Sequence, residues 1–151
     1  MTKTLLIVAA ALMGLSAGLF ATFSYAVMPG LRRTDDATFV QSMRAINVAI
    51  LNPVFAVVFA GAAVVAVAAL VTGWGTGARP WLVAGLVLYV VGAFIVTGAV
   101  NVPLNDALAA GTDGASQLRT SFEGRWIVWN GVRSALTIAA FVCVLVGATS
   151  V

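Results

Sequence analysis

Four apolar stretches of membrane-spanning length limit the possible folds of this chain more than any other feature. The first, residues 4–31, contains no charged residue, and a spanning α-helix needs about 20 consecutive apolar residues. Only 9% of the 151 residues are charged, whereas a soluble domain carries about 25%. Thirteen charged side chains (eight basic and five acidic) cannot cover a water-facing surface. A soluble globular fold is therefore excluded, and we predict an integral membrane protein.

The residues between the apolar stretches predict one domain of four helices. Pro29 and Gly30 are expected to end the first helix. Pro53 is expected to kink the second helix near Asn52 without ending it, because proline removes one internal hydrogen bond. The connections are short, which is typical of an up-down arrangement. We predict an all-α, integral membrane, up-down four-helix bundle spanning residues 1–151, with helices at about 4–28, 36–72, 80–101 and 118–147.

The distribution of basic residues predicts how the chain lies in the membrane. One side of the predicted bundle carries only Lys3 and Arg79, whereas the other side carries Arg32, Arg33, Arg44, Arg119 and Arg125. Cytoplasmic loops are enriched in Lys and Arg. We therefore expect a multi-pass protein of the cell membrane, most simply a bacterial inner membrane, with the two polar loops in the cytoplasm. The lipid bilayer is its first expected partner.

The residue types that are missing exclude several classes of function. The chain has no histidine and one cysteine, Cys143, so disulfides, zinc sites and His- or Cys-ligated haem are excluded. One Glu and four Asp cannot supply the ligands of a di-iron carboxylate bundle. The basic residues form no stripe, which argues against nucleic-acid binding. We expect neither a metal nor another cofactor.

The fourth predicted helix carries a polar face. Its members recur at intervals of three and four residues and fall within an arc of about 80°: Arg119, Glu123, Trp126, Asn130, Arg133 and Thr137. A charge at membrane depth costs at least about 2.5 kcal/mol, so such side chains face the bundle interior or a wet cavity. Arg125 lies off this face and is expected to reach the lipid headgroups.

Polar residues of the other helices are expected at the same end of the bundle. Tyr25 lies near the end of the first helix, and Asn101 and Asn105 lie at the end of the third. The early part of the second helix carries Arg44, Asn47 and Asn52. We predict one polar pocket that opens toward one leaflet. The alternative is that these side chains only bond the helices together, since interhelical hydrogen bonds of asparagine stabilise membrane bundles by about 0.6 kcal/mol each.

A row of small residues on the first helix suggests a contact surface. Ala10, Gly14, Gly18 and Thr22 occupy every fourth position, and small residues let membrane helices approach closely. We therefore expect any homo-oligomer to form through the Gly14 and Gly18 face.

Several segments resemble the anthrone-oxygenase-like family of small four-helix membrane proteins, many of which have no known function. They are FATFSYAVMPGL (residues 20–31), FVQSMRAINVAILNPVF (39–55), NVPLNDAL (101–108) and RTSFEGRWIVWNGVRS (119–134). The resemblance covers essentially the whole chain. It implies a cofactor-independent oxygenase, an oxidoreductase that converts an anthrone to an anthraquinone with O₂.

Two functions follow from these residues. In the first, an enzyme acts on a lipophilic small molecule: Glu123 is the base, and Arg133 and Arg44 stabilise the resulting anion. The four aspartates, Asp106 among them, are interpreted as loop and cap residues. The expected binding residues are Tyr25, Asn47, Asn52, Asn101, Asn105, Arg119, Trp126 and Asn130.

In the second, a non-catalytic membrane module binds a lipid, a quinone or a protein partner in the same pocket. The surroundings of Glu123 discriminate between the two. Pairing with Arg119 and Arg125 at the surface favours the module, whereas a position beside Arg133 in a cavity favours the enzyme.

Overall fold

The computed structural model describes residues 1–151 and contains five helices and no strand. The helices are α1 (Thr2–Leu31), α2 (Asp36–Ala49), α3 (Pro53–Thr72), α4 (Arg79–Ala110) and α5 (Ala115–Ala148). All except α2 are long and apolar enough to cross a membrane. The predicted all-α membrane fold with four spanning helices is confirmed.

Contacts between helix ends establish the directions of the four spanning helices. The hydroxyl of Thr2 donates a hydrogen bond to the carbonyl of Thr72 at 3.1 Å, which joins the start of α1 to the end of α3. The loop before α4 meets the end of α5, where a Cβ at Gly77 would lie 3.2 Å from the Ser150 carbonyl oxygen. The spanning helices therefore alternate in direction, and α2 lies at the opposite end.

The prediction of one continuous helix over residues 36–72 is wrong, because the chain breaks into α2 and α3. Asn52 has extended backbone angles (φ −129°, ψ 163°), and its side-chain oxygen accepts the Phe55 N–H at 3.0 Å. Asn is a strong N-cap, and proline at the first helical position sacrifices no bonded N–H. The Asn52-Pro53 pair therefore starts a helix here instead of kinking one.

Two other helices run further than expected. The α1 helix continues through Pro29 to Leu31, and α4 continues through Pro103 to Ala110. In both, π-helical backbone ends two residues before the proline, at Val27 and at Asn101. Local π-helical adjustment lets a membrane helix accommodate a proline and its missing N–H. The predicted ends at residues 28 and 101 are therefore too early, and α5 starts at Ala115 instead of 118.

Two apolar clusters fill the interior. The larger lies toward the chain termini and is rich in alanine, with Ala9, Ala62 and Ala66 fully buried. The smaller lies at the end that carries α2 and contains Phe39, Phe122, Trp126 and other large side chains. A cavity separates them.

Candidate functional site

A cavity of about 300 Å³ lies between the two clusters, where all five helices contribute to its wall. This volume is at the lower end of the range for small-molecule sites. Eleven of its 17 lining residues are hydrophobic, Phe20, Phe23, Phe55 and Trp126 among them. The polar lining residues are Arg44, Asn47, Thr97, Asn105, Asp106 and Arg133.

One side of the cavity has an exposed apolar rim. Val48 and Leu51 line the cavity and are 75% and 78% exposed, and Val102 is 43% exposed. Val48 lies near the end of α2, Leu51 in the break before α3, and Val102 on α4. The rim thus follows from the interruption of the predicted second helix.

Arg133 is a buried cation without a carboxylate partner. Its side chain is held by two neutral groups: Nε donates to Asn130 Oδ1 at 3.0 Å, and Nη1 donates to Thr97 Oγ1 at 3.2 Å. Its guanidinium carbon lies 4.1 Å from the ring centroid of Phe20. None of the three ion pairs in the structure includes Arg133. A buried charge is costly without a partner, so this cation is suited to an anionic ligand.

Asn130 fixes the position of Arg133. It is 1% exposed, and its amide nitrogen donates to the Phe20 carbonyl at 3.0 Å and to Ser24 Oγ at 2.7 Å. Its amide oxygen is left to accept from Arg133. The α1 backbone therefore orients this amide, and the amide in turn holds the guanidinium against the cavity.

Two other asparagines have buried polar atoms without partners. Asn47 lines the cavity, and its Nδ2 is buried and makes no hydrogen bond. Asn101 is 1% exposed, and neither its Nδ2 nor its Oδ1 has a partner, but it does not line the cavity. Buried polar groups are nearly always satisfied, so these two asparagines are exceptions in the wall and surroundings of the cavity.

Arg44, Asn105 and Trp126 line the cavity and also tie the helices together. Arg44 donates from Nε to the Leu108 carbonyl at 3.0 Å and from Nη2 to the Gly111 carbonyl at 2.7 Å. A cation at this position satisfies the free carbonyls at the end of α4. Trp126 Nε1 donates to Asn105 Oδ1 at 2.9 Å, which connects α5 to α4.

Glu123 lies outside the cavity, in an ion-pair network at the polar end of α5. Its two oxygens each accept one hydrogen bond of 2.8 Å, from Nε of Arg119 and Nε of Arg32. Arg119 also donates to Asp36 Oδ1 and to the Thr34 carbonyl, both at 3.0 Å. The second partner of Glu123 is thus Arg32 and not Arg125. The structure does not bring Glu123 together with Arg133 and the asparagines.

Two more predicted residues point elsewhere. Tyr25 is 71% exposed, and its hydroxyl lies 3.2 Å from that of Thr22 on the same helix. Asn52 is exposed and serves as the cap of α3. The structure therefore gathers five of the predicted residues around the cavity: Arg44, Asn47, Asn105, Trp126 and Arg133. Asn130 does not line the cavity but holds Arg133 from behind. The structure leaves Tyr25, Asn52, Asn101, Arg119 and Glu123 outside the lining.

Two polar lining residues, Thr97 and Asp106, are absent from the predicted site. The sequence pattern predicts a loop or cap role for Asp106, but it lies inside α4 and lines the cavity. The signal was present: Val102, Asn105, Asp106 and Ala109 are spaced as one face of a helix, and all four line the cavity. No group of three His, Cys, Asp or Glu side chains is close enough to hold a metal ion.

Fold and cavity together define an integral membrane protein with four helices long and apolar enough to span a membrane, and with a cavity between them that is lined by two arginines, neither of which is in an ion pair. The family model for anthrone oxygenase matches residues 43–143, more than half of the chain. The chain therefore belongs to the anthrone oxygenase family, and the resemblance seen in its sequence is confirmed. No curated protein and no solved structure shows significant similarity to it.

Proposed function

We propose that this protein oxidises a lipophilic polycyclic phenol or ketone of the anthrone type with O₂, without a protein-bound cofactor. The observation that carries the proposal is Arg133, a buried guanidinium that faces an aromatic-lined cavity and has no carboxylate partner. Membership in the anthrone oxygenase family supports the same reaction class.

The chemistry requires a group that stabilises an anion. An anthrone has a methylene whose C–H is acidified by the conjugated carbonyl, and loss of that proton moves negative charge onto the oxygen. Arg133 supplies a positive charge at the cavity wall that is held in place by Asn130 and Thr97. Donors that are held in place before the reaction stabilise developing charge most effectively.

The carbanion-like anion is electron-rich enough to reduce O₂ itself. One electron passes to O₂, and the resulting radical and superoxide combine into a peroxide at the former methylene carbon. The peroxide anion takes up a proton from water, and loss of the second C–H proton with cleavage of the O–O bond of this hydroperoxide then releases water and leaves a carbonyl. Anthrone and O₂ thus give anthraquinone and H₂O. A polycycle that fills the apolar part of the cavity would displace water from around Arg133, which strengthens the electrostatic contact between them.

A second candidate function is a non-catalytic module that binds a lipid, a quinone or a protein partner. The observation that favours it is the engagement of Glu123, whose oxygens are both occupied by arginines. Under this candidate, Arg133 attracts an anionic or electron-rich ligand but no proton is removed.

Localisation and assembly are also proposed. The arginine-rich loops favour a multi-pass protein of the cell membrane with those loops in the cytoplasm. Gly14 lies against Phe141 of α5, where an added Cβ would be 3.1 Å from the ring, whereas an added Cβ at Gly18 would meet no atom of another residue within 4 Å. A homo-oligomer would therefore use Gly18 and not Gly14.

The test measures O₂ consumption and quinone absorbance with purified protein and emodin anthrone. Arg133→Met keeps most of the side-chain volume and removes the charge, and Arg125→Met is the control, an exposed arginine of the same helix that does not line this cavity. We expect Arg133→Met to lower turnover by about 100-fold or more, the usual effect of removing one anion-stabilising donor. Arg125→Met should behave as wild type. Folded wild-type protein that binds the anthrone or its quinone without turnover above the spontaneous rate would refute the oxygenase and favour the module.

A further inference from the structure

Asp106 is the only carboxylate that lines the cavity. The chain has four other acidic residues, Asp35, Asp36, Asp113 and Glu123, and none of them contributes to the lining. A C–H bond acidified by a carbonyl is cleaved only when a base lies within reach of the proton. Because the chain has no histidine, Asp106 is the one carboxylate or imidazole base in this cavity.

The two carboxylate oxygens of Asp106 have no ion-pair or side-chain hydrogen-bond partner and can accept a proton. Asp106 takes part in none of the three ion pairs and accepts no side-chain hydrogen bond, although Arg44 lines the same cavity. Arg44 is already engaged by two carbonyls. Glu123 is in the opposite situation, because protonating it would break contacts with two arginines.

The helical turn that carries Asp106 is hydrogen-bonded to neighbouring helices both before and after that residue. Before it, Asn105 is bonded to Trp126 of α5, and after it the Leu108 and Gly111 carbonyls are bonded to Arg44 of α2. A carboxylate on such a fixed turn keeps its position relative to the cavity, which is the condition for efficient proton transfer.

Asp106 and Arg133 occupy different parts of the cavity. Arg133 is buried, whereas Asp106 is exposed and therefore lies at the mouth. An oxygen held at the inner cation and a C–H bond at the outer carboxylate would orient a flat molecule along the cavity. Because the carboxylate is accessible, it can release the proton to solvent after each turnover.

We propose that Asp106 is the general base of this site and removes the C–H proton of a ligand whose oxygen is stabilised by Arg133. The inference rests on the proposed function for the identity of that ligand. The proton moves from carbon to a carboxylate oxygen, the C–H electron pair enters the conjugated ring system, and the negative charge is delocalised onto the ligand oxygen. The acid formed then loses its proton to water.

The test separates proton removal from the reaction with O₂. Anthrone labelled with deuterium at its methylene is incubated anaerobically with the protein, and loss of the label to solvent is followed by mass spectrometry. Asp106→Ala is compared with Glu123→Gln and with Asp113→Asn, an exposed aspartate of the loop before α5 that does not line the cavity. Quinone binding is measured for each variant to confirm that the cavity is intact.

We expect Asp106→Ala to slow label loss by about 100-fold or more, within the range for a lost general base, while quinone binding persists. The other two variants should exchange as wild type. Formate should restore exchange to Asp106→Ala, because a small carboxylate can enter at the exposed mouth, and a purely structural role would not allow such rescue. Asp106→Glu should retain exchange, which provides a second reading if the alanine variant folds poorly.

The outcomes distinguish the two proposals. Asp106-dependent exchange without O₂ consumption would support the base and refute the oxygenase. Exchange that is lost in Glu123→Gln and retained in Asp106→Ala would overturn the assignment of Asp106. Wild-type exchange no faster than in buffer would overturn it as well, whether or not O₂ is consumed.

Discussion

Replacing Gly92 with alanine tests how closely α4 and α5 must approach beside Arg133. A Cβ at position 92 would lie 2.7 Å from Cβ of Leu136 and 3.4 Å from the Arg133 carbonyl oxygen. Non-bonded carbon atoms prefer about 3.5–4.0 Å, so the two atoms must separate by about 1 Å. A Cβ is fixed to its backbone and cannot rotate away. The two helices themselves therefore have to move apart.

The magnitude follows from two opposing terms. Overpacking a tight interior contact costs about 1–3 kcal/mol, and the higher helix propensity of alanine returns up to about 1 kcal/mol. We expect Gly92→Ala to lower the free energy of unfolding by about 1–2 kcal/mol. Gly98→Ala is the matched control: it lies in the same π-helical stretch, Val90–Asn101, but has no atom within 4 Å of its added Cβ. It should leave stability unchanged or slightly raised.

Reversible unfolding in mixed micelles, titrated with a denaturing detergent, measures both variants under one condition. The displaced contact includes the Arg133 backbone, so Gly92→Ala should also lower any activity that depends on that guanidinium. Equal stability of Gly92→Ala and Gly98→Ala would refute the reasoning, because it would mean that α4 and α5 can move apart at this contact without lowering the free energy of unfolding.

Two further predictions concern the polar end of the bundle. Asp35 accepts hydrogen bonds from the hydroxyl and the N–H of Thr38, and these bonds hold the pKa of Asp35 below its ordinary value of 3.8. The stabilisation that the ionised carboxylate provides is therefore complete above about pH 3.8 and is lost as the pH falls further. Asp35→Ala should therefore be less stable than wild type at neutral pH in thermal melts, and a difference that does not shrink in acid would contradict this account. Arg44→Met should speed amide hydrogen exchange at the end of α4 by about ten-fold, because two charge-assisted bonds to carbonyls are lost. Unchanged protection there would mean that Arg44 does not hold that end.

The spans were predictable because bilayer thickness imposes a length on apolar stretches, but the helix ends were not. Pro29, Pro53 and Pro103 look alike to a rule that treats proline as a breaker. Two of them lie inside helices whose preceding backbone is π-helical, and the third starts a helix after a capping asparagine. Only the cap at Asn52 had a local signal. The π-helical backbone depends on packing against neighbours and has no sequence pattern of its own.

The site was partly predictable for a similar reason. The spacing of polar residues on α5 correctly brought Trp126, Asn130 and Arg133 inside, since periodicity defines a face. It does not define depth: Glu123 and Arg133 are ten residues apart, or about 15 Å along the helix axis. Arg32, the partner of Glu123 in the turn after α1, comes from a part of the chain that only the fold brings close. Asp106 was missed because α4 was expected to end five residues before it.

The apolar rim formed by Val48, Leu51 and Val102 has a consequence for how the cavity is supplied. Under the proposed function, exposed apolar side chains of this rim would face acyl chains, so a hydrophobic ligand would reach the rim by two-dimensional diffusion within the leaflet. The concentration that governs occupancy is then the mole fraction of ligand in the lipid, not its concentration in water. Adding inert lipid dilutes the ligand around the protein even when the total amount is constant, so the membrane itself sets the apparent affinity.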